Sequence, residues 1–241
     1  MKVKAFLKIN RMDSHGVFCT RYWCEVFKEY ETYILCDKFK QDVEPPPAEL
    51  KSITIDYPHV KVVNSNYNLG EHLGTLKPRK RGMAMANLTG IQYSHNADAF
   101  WMIDADDTMF LTCAFDIVQN KLRIAEQQFQ ERGLDAYSLD FYRNKTNGWT
   151  FGVALLSSKI NPAIMRTVSG DEMMSYGGPR NIDTAFHVLW KRGDLKCANF
   201  VFGGMAFQHT YNNYPEMPQG VYYWNKGHLW DVPLQPDVVT I

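Results

Sequence analysis

The sequence predicts an α/β domain built on a mixed, mostly parallel sheet flanked by helices. The first half of the chain alternates short apolar runs with longer stretches of helical spacing, the pattern left by strands joined through helical crossovers. Among the 241 residues, 45% are hydrophobic and 22% charged, a balance that supports a packed core rather than a disordered chain. No internal repeat or low-complexity linker interrupts the sequence, so one domain of this length is expected.

The elements follow in order. Val3 to Ile9 is an apolar strand, and Asn10 to Gly16 a polar loop. Val17 to Tyr30 has helical spacing, with Phe18, Tyr22, Val26 and Phe27 near one face. Thr32 to Cys36 reads as a second strand. Pro45, Pro46 and Pro47 mark a turn before a helical segment around Ala48 to Ile53. Val60 to Val63 is a third strand, Pro78 to Ser94 a helix, and Ala99 to Ile103 a buried strand. The second half is less regular. Ala136 to Phe141, Thr150 to Leu156 and Lys196 to Phe202 read as strands, and Ile182 to Lys191 as a helix stopped by Gly193. Beyond Asn212 the composition shifts to Pro, Tyr, Trp and Asn, as in a flap over a site or a wrapped surface segment.

Bulk properties narrow the function. The formal net charge is zero, which disfavours generic binding to a phosphate backbone. The cysteines (Cys19, Cys24, Cys36, Cys113 and Cys197) are odd in number and show no CxxC spacing, so neither a zinc site nor a disulfide framework is suggested. Met1 to Asn10 is too short and too lysine-interrupted for a signal peptide, and no run reaches the length of a membrane span. A soluble, cytoplasmic protein without a transmembrane segment is expected.

The chemistry is concentrated in Phe100-Trp101-Met102-Ile103-Asp104-Ala105-Asp106-Asp107, where an apolar strand delivers carboxylates into a turn. Neighbouring acids repel one another, a cost that a cation removes. Oxygen ligands suit Mn2+ or Mg2+, which also bridge phosphate oxygens. In parallel sheets ligands gather beyond the carboxyl ends of the strands. That places Asn10 to Gly16, Asp37, Asn64 to Gly70 and Asp104 to Asp107 on one rim. Two other readings stand beside this one. Asp106 or Asp107 would fit an N-cap of a following helix. Asp104-Ala105-Asp106-Asp107-Thr108 also fits the DxDxT pattern of haloacid-dehalogenase-like phosphatases, with Asp104 as nucleophile, Asp106 as acid/base, and Ser157 and Lys159 as later motifs.

Gly82-Met83-Ala84-Met85-Ala86-Asn87-Leu88-Thr89-Gly90-Ile91, followed by Ala99 to Asp107, resembles the large inverting glycosyltransferase family with the GT-A fold, a Rossmann-like architecture. That family often carries a G-x-A-x-A-R-N-x-G-I helix before an apolar strand and D-x-D-D. Gly82, Ala84, Asn87, Gly90 and Ile91 carry the match; the family's Arg is absent, and Arg79, Lys80 or Arg81 would take over its phosphate contact. Asn181-Ile182-Asp183, at the head of a helix reaching Gly193, resembles the family's E-D motif with Ile182 in place of Glu. The resemblance implies that Asp183 is the catalytic base, with Asp171 in reserve. It also implies that a C-terminal histidine, His209 or else His228, completes the metal shell, and that the loop at Asn10 and Asp37 meet the nucleotide.

The expectation is a single GT-A domain: a donor half over 1–107, an acceptor half over 108–212 and an aromatic tail over 213–241. Asp104, Asp106, Asp107 and His209 would hold Mn2+ or Mg2+. Asn10, Asp37, Arg79, Arg81, Asn87 and Asp104 would bind the nucleotide-diphosphate sugar, a UDP-sugar foremost. Asp183 would deprotonate an acceptor hydroxyl, giving inversion. A glycan, lipid-linked sugar, protein or modified nucleic acid is the expected acceptor. Trp149-Thr150-Phe151-Gly152 would lie below it, and the Tyr176-Gly177-Gly178-Pro179 loop would close over the substrates. The basic run Lys77-Pro78-Arg79-Lys80-Arg81 is read as a solvated face or an anion contact. A nucleotidyltransferase and a non-catalytic sugar- or nucleotide-binding module remain as further alternatives.

Overall fold

Strand β1 (Val3–Ile9) is buried along nearly its whole length, as a strand is when helices cover both faces of its sheet. The computed structural model describes residues 1–10, 12–36, 46–64, 87, 89–106, 108–110, 115–138, 152–169, 182–199, 207–209, 222–225, 228–231 and 239–240. Within them β1 is followed by helix α1 (Ser14–Val26), β2 (Glu31–Cys36), α2 (Ala48–Asp56), β3 (Val60–Asn64) and β4 (Ala99–Asp104). Next come β5 (Thr108–Phe110), α3 (Phe115–Glu131), β6 (Ala136–Ser138), β7 (Val153–Ser157), α4 (Asn161–Ser169), α5 (Ile182–Lys191) and β8 (Cys197–Asn199). The remaining strands are β9 (Phe207–His209), β10 (Tyr222–Asn225), β11 (His228–Asp231) and β12 (Val239–Thr240).

The main sheet has eight strands in the order β12-β8-β6-β7-β4-β1-β2-β3. Its β3-β2-β1-β4 block is parallel, β7 runs antiparallel between β4 and β6, and β6 and β8 are again parallel. This is the expected α/β architecture. A second sheet, ordered β11-β10-β9-β5, has four strands.

Period-two alternation divides the core. One face of the main sheet carries Leu7, Ile34, Trp101, Ile103 and Leu155, which pack with Trp23 and Phe27 of α1 and Val118, Leu122 and Phe129 of α3. The other face carries Phe6, Leu35, Phe100, Met102 and Leu156, which pack with Ile164 of α4 and Ala185, Phe186 and Leu189 of α5. Each such large side chain contributes about 1.5–3 kcal/mol when fully buried. α5 also packs against α4.

Several boundaries differ from expectation. Helix α1 begins at Ser14 because Asp13 caps it, its Oδ1 accepting the Gly16 N–H at 2.9 Å. The helix over 115–131 is not anticipated by the sequence reading. In the 78–94 segment only residues 87 and 89–93 are seen as helical; 78–86 and 88 lie outside the described residues. The tail is integrated by pairing: β12 joins β8 at the sheet edge, and β10 bridges β9 and β11. Among the described residues no helix is long and apolar enough to cross a membrane.

Candidate active site

The parallel register brings the carboxyl ends of the first four sheet strands to one rim. Ile9 lies opposite Cys36, Cys36 opposite Asn64, and Lys8 opposite Asp104. Asn10, Asn64 and the acid turn therefore share that rim, as expected.

The acid turn is shaped by the end of β1. The Lys8 Nζ lies 2.6 Å from Asp104 Oδ1, the Lys8 carbonyl accepts the Ala105 N–H at 2.9 Å, and the Asn10 N–H donates to Asp106 Oδ2 at 2.7 Å. From the other side, the Gly152 carbonyl accepts the Asp104 N–H at 2.9 Å. Asp104 retains 18% of its side-chain exposure, whereas Asp106 is buried. Asp104 thus has a resident cation, and the mutual repulsion inferred from the sequence is partly relieved by Lys8 itself. Sequence reasoning missed Lys8. Its signal was a pair of lysines, Lys4 and Lys8, on one face of an apolar strand, which burial permits only with acidic or carbonyl partners.

Two further candidates lie toward this rim by backbone position. Strand β5 begins two residues after Asp106 and pairs with β9, with Thr108 directly opposite His209. Helix α5 leads through residues 192–196 into β8, and β8 runs in the same direction as β4. The start of α5, with Asp183 as its second residue, therefore points to the same rim. Its packing face is the one from which Phe100, Met102 and, by alternation, Asp104 emerge.

The remaining candidates are distributed as follows. Asn87 is 3% exposed and its Oδ1 has no hydrogen-bond partner among the described residues. Asn10 is exposed and contributes its backbone N–H. Asp37, Arg79, Arg81, Asp107, Asp171 and residues 149–151 and 176–179 lie outside the described residues, as do the side chains of Asp183, His209 and His228. Among the described residues no group of three or more His, Cys, Asp or Glu could hold a metal ion. Asp104 and Asp106 carry carboxylate oxygens, the hard donor type that divalent cations such as Mg2+ and Mn2+ prefer.

The two competing readings of the acid cluster fare poorly. The element after Asp106 is strand β5, so the turn does not cap a helix. Ser157 lies opposite Ala99, at the far end of β4, roughly 17 Å from Asp104 at about 3.3 Å per residue. Lys159 pairs there with Asp135 at 3.0 Å. The DxDxT residues and their proposed partners are thus not brought together.

No family model and no curated protein matches this sequence. In contrast, 21 chains of solved structures match the fold. One is the crystal structure of S. aureus TarS 1–349, with a TM-score of 0.41 and 10% sequence identity over 68% of this chain. The match covers 50% of that chain, so the present chain spans about half its length.

Proposed function

We propose that this chain is a glycosyltransferase of the GT-A class that moves a sugar from a nucleotide-diphosphate sugar to an acceptor hydroxyl with the help of a divalent cation. The observation that supports it best is the convergence on one rim of the β1-templated Asp104–Asp106 turn, the His209 strand and the start of α5.

In this reading Asp104, Asp106, Asp107 and His209 hold Mn2+ or Mg2+. The bound cation supplies Lewis-acid stabilisation of the negative charge on the departing diphosphate. The chain's own residues do the rest. Asn10, Asp37, Asn87 and a basic residue among Arg79 to Arg81 orient the nucleotide, with UDP as the first diphosphate to try. Asp183 takes the proton of the acceptor hydroxyl as that oxygen attacks the anomeric carbon, giving inversion. The acceptor is a glycan, lipid-linked sugar, protein or hydroxylated nucleic-acid base.

Calorimetric titration with a panel of nucleoside diphosphates, with and without Mn2+, tests the donor site. Asp106→Asn keeps an acceptor for the Asn10 N–H while removing a ligand charge. It is expected to abolish the Mn2+-dependent part of binding without unfolding the chain. Asp183→Asn should leave binding intact and slow sugar transfer by about 10²–10⁴-fold. Failure of every diphosphate to bind, with or without metal, would sink the proposal.

A further inference from the structure

We propose that Lys8, as resident counter-ion of Asp104, makes cation binding at the acid turn conditional on the nucleotide diphosphate. The inference rests on the donor site proposed above. A lysine that is 8% exposed in a central strand is stable only where a carboxylate offsets its lost hydration, and Asp104 does so at 2.6 Å.

The other buried lysine of β1 sharpens the point. Lys4 projects from the same face of the same strand, but its Nζ donates to the Tyr93 carbonyl at 2.9 Å and lies 3.6 Å from Glu31. It lies near the opposite end of the strand, where β1 meets the start of β2, and so has no part in the acid turn. Lys8 alone of this pair is built against the candidate metal ligands.

Charge then decides the order of binding. Asp104 and Asp106 bring two negative charges to the described turn, and Lys8 cancels one of them. A divalent cation arriving alone meets an ammonium already occupying one carboxylate oxygen. A diphosphate arriving with the cation adds negative charge and further oxygen ligands, which outweigh that ammonium. Lys8 is therefore a positioning residue: it fixes Asp104 and lowers the affinity of the empty turn for free cation.

Electron paramagnetic resonance titration of Mn2+ into the full chain, with and without UDP, reads this directly. UDP should strengthen Mn2+ binding to wild type by about tenfold or more. Lys8→Gln keeps a hydrogen-bond donor to Asp104 without the charge. It should bind Mn2+ alone about tenfold or more tightly than wild type does, and gain correspondingly less from UDP. Lys8→Arg restores the charge and should behave as wild type. Lys8→Met, a second uncharged variant, should follow Lys8→Gln, with circular dichroism checking that each variant is folded.

The inference is overturned if folded Lys8→Gln binds Mn2+ alone no more tightly than wild type. It is also overturned if wild type binds UDP fully without Mn2+ and Lys8→Gln loses that binding, for then the ammonium itself serves as the cation. If wild type binds no Mn2+ even with UDP, the donor-site reading falls, and the role of Lys8 falls with it.

Discussion

Replacing Gly90 tests how the segment before the acid strand is seated. A Cβ built on Gly90 would lie 2.6 Å from Met102 Cε and 3.4 Å from Leu35 Cδ1. Carbon atoms in ordinary contact sit about 3.5–4.0 Å apart, so in Gly90→Ala the Met102 methyl must retreat by about 1 Å. Met102 is fully enclosed, and overpacking of this kind costs about 1–3 kcal/mol. The gain in helix propensity from Gly to Ala offsets about 1 kcal/mol of that. The net expectation is a loss of up to about 2 kcal/mol, or about 2–4 °C in Tm for each kcal/mol. The flexible end of Met102 makes the lower part of that range the natural outcome for Ala, and Gly90→Val should cost more. Urea denaturation of a double-mutant cycle isolates the contact. In a Met102→Ala background the clash is gone, so Gly90→Ala should become neutral or stabilising by about 1 kcal/mol. An equal cost of Gly90→Ala in both backgrounds would refute the packing account.

Two further expectations concern stability. Asp13→Ala removes the side-chain cap of α1 and should cost about 1 kcal/mol in urea denaturation, while Asp13→Asn, which still accepts the Gly16 N–H, should cost little. Glu31 is held down to about 2, first by the hydrogen bond from the Tyr33 hydroxyl at 2.5 Å and then by Lys61 and Lys4 against the opposing effect of burial. Because its folded pKa lies below the unfolded value, its contribution is fully present above about pH 4.3 and is lost as pH falls toward 2. Tyr33→Phe should move that loss to higher pH. An acid-unfolding profile unchanged by the substitution would show that the hydroxyl is not what holds the carboxylate ionised.

Much of the sheet was legible because each central strand is a short apolar run closed by a polar turn. Ala99–Asp104 was read to within one residue, and its position at the sheet rim followed from the alternation of strands and helices. The start of α1 was missed because Ser14, His15 and Gly16 precede any apolar stripe, and only the cap at Asp13 marks the boundary. Helix α3 was missed for a related reason. Val118, Leu122, Ala125 and Phe129 do keep helical spacing, but Gln, Glu, Lys and Arg crowd the rest of the segment and narrow the stripe. At the site, the strand that delivers Asp104 and Asp106 could be read locally. The Lys8–Asp104 pair could not, since it depends on the β1–β4 register, which no local pattern specifies. The apposition of Thr108 and His209 is harder still: both strands are three residues long and far apart in the chain.

That last pairing bears on how the protein matures during synthesis. The β1–β4 block can form once the chain through Asp104 has left the ribosome, and with it the Lys8–Asp104 clasp. The strand beside the acid turn arrives about a hundred residues later, and the closure cost of so long a loop grows only slowly with its length. A nascent chain therefore carries half of its rim in place while the His209 side is still to be made. During that interval Lys8 already satisfies Asp104, so the unfinished turn need not scavenge a stray cation to remain folded.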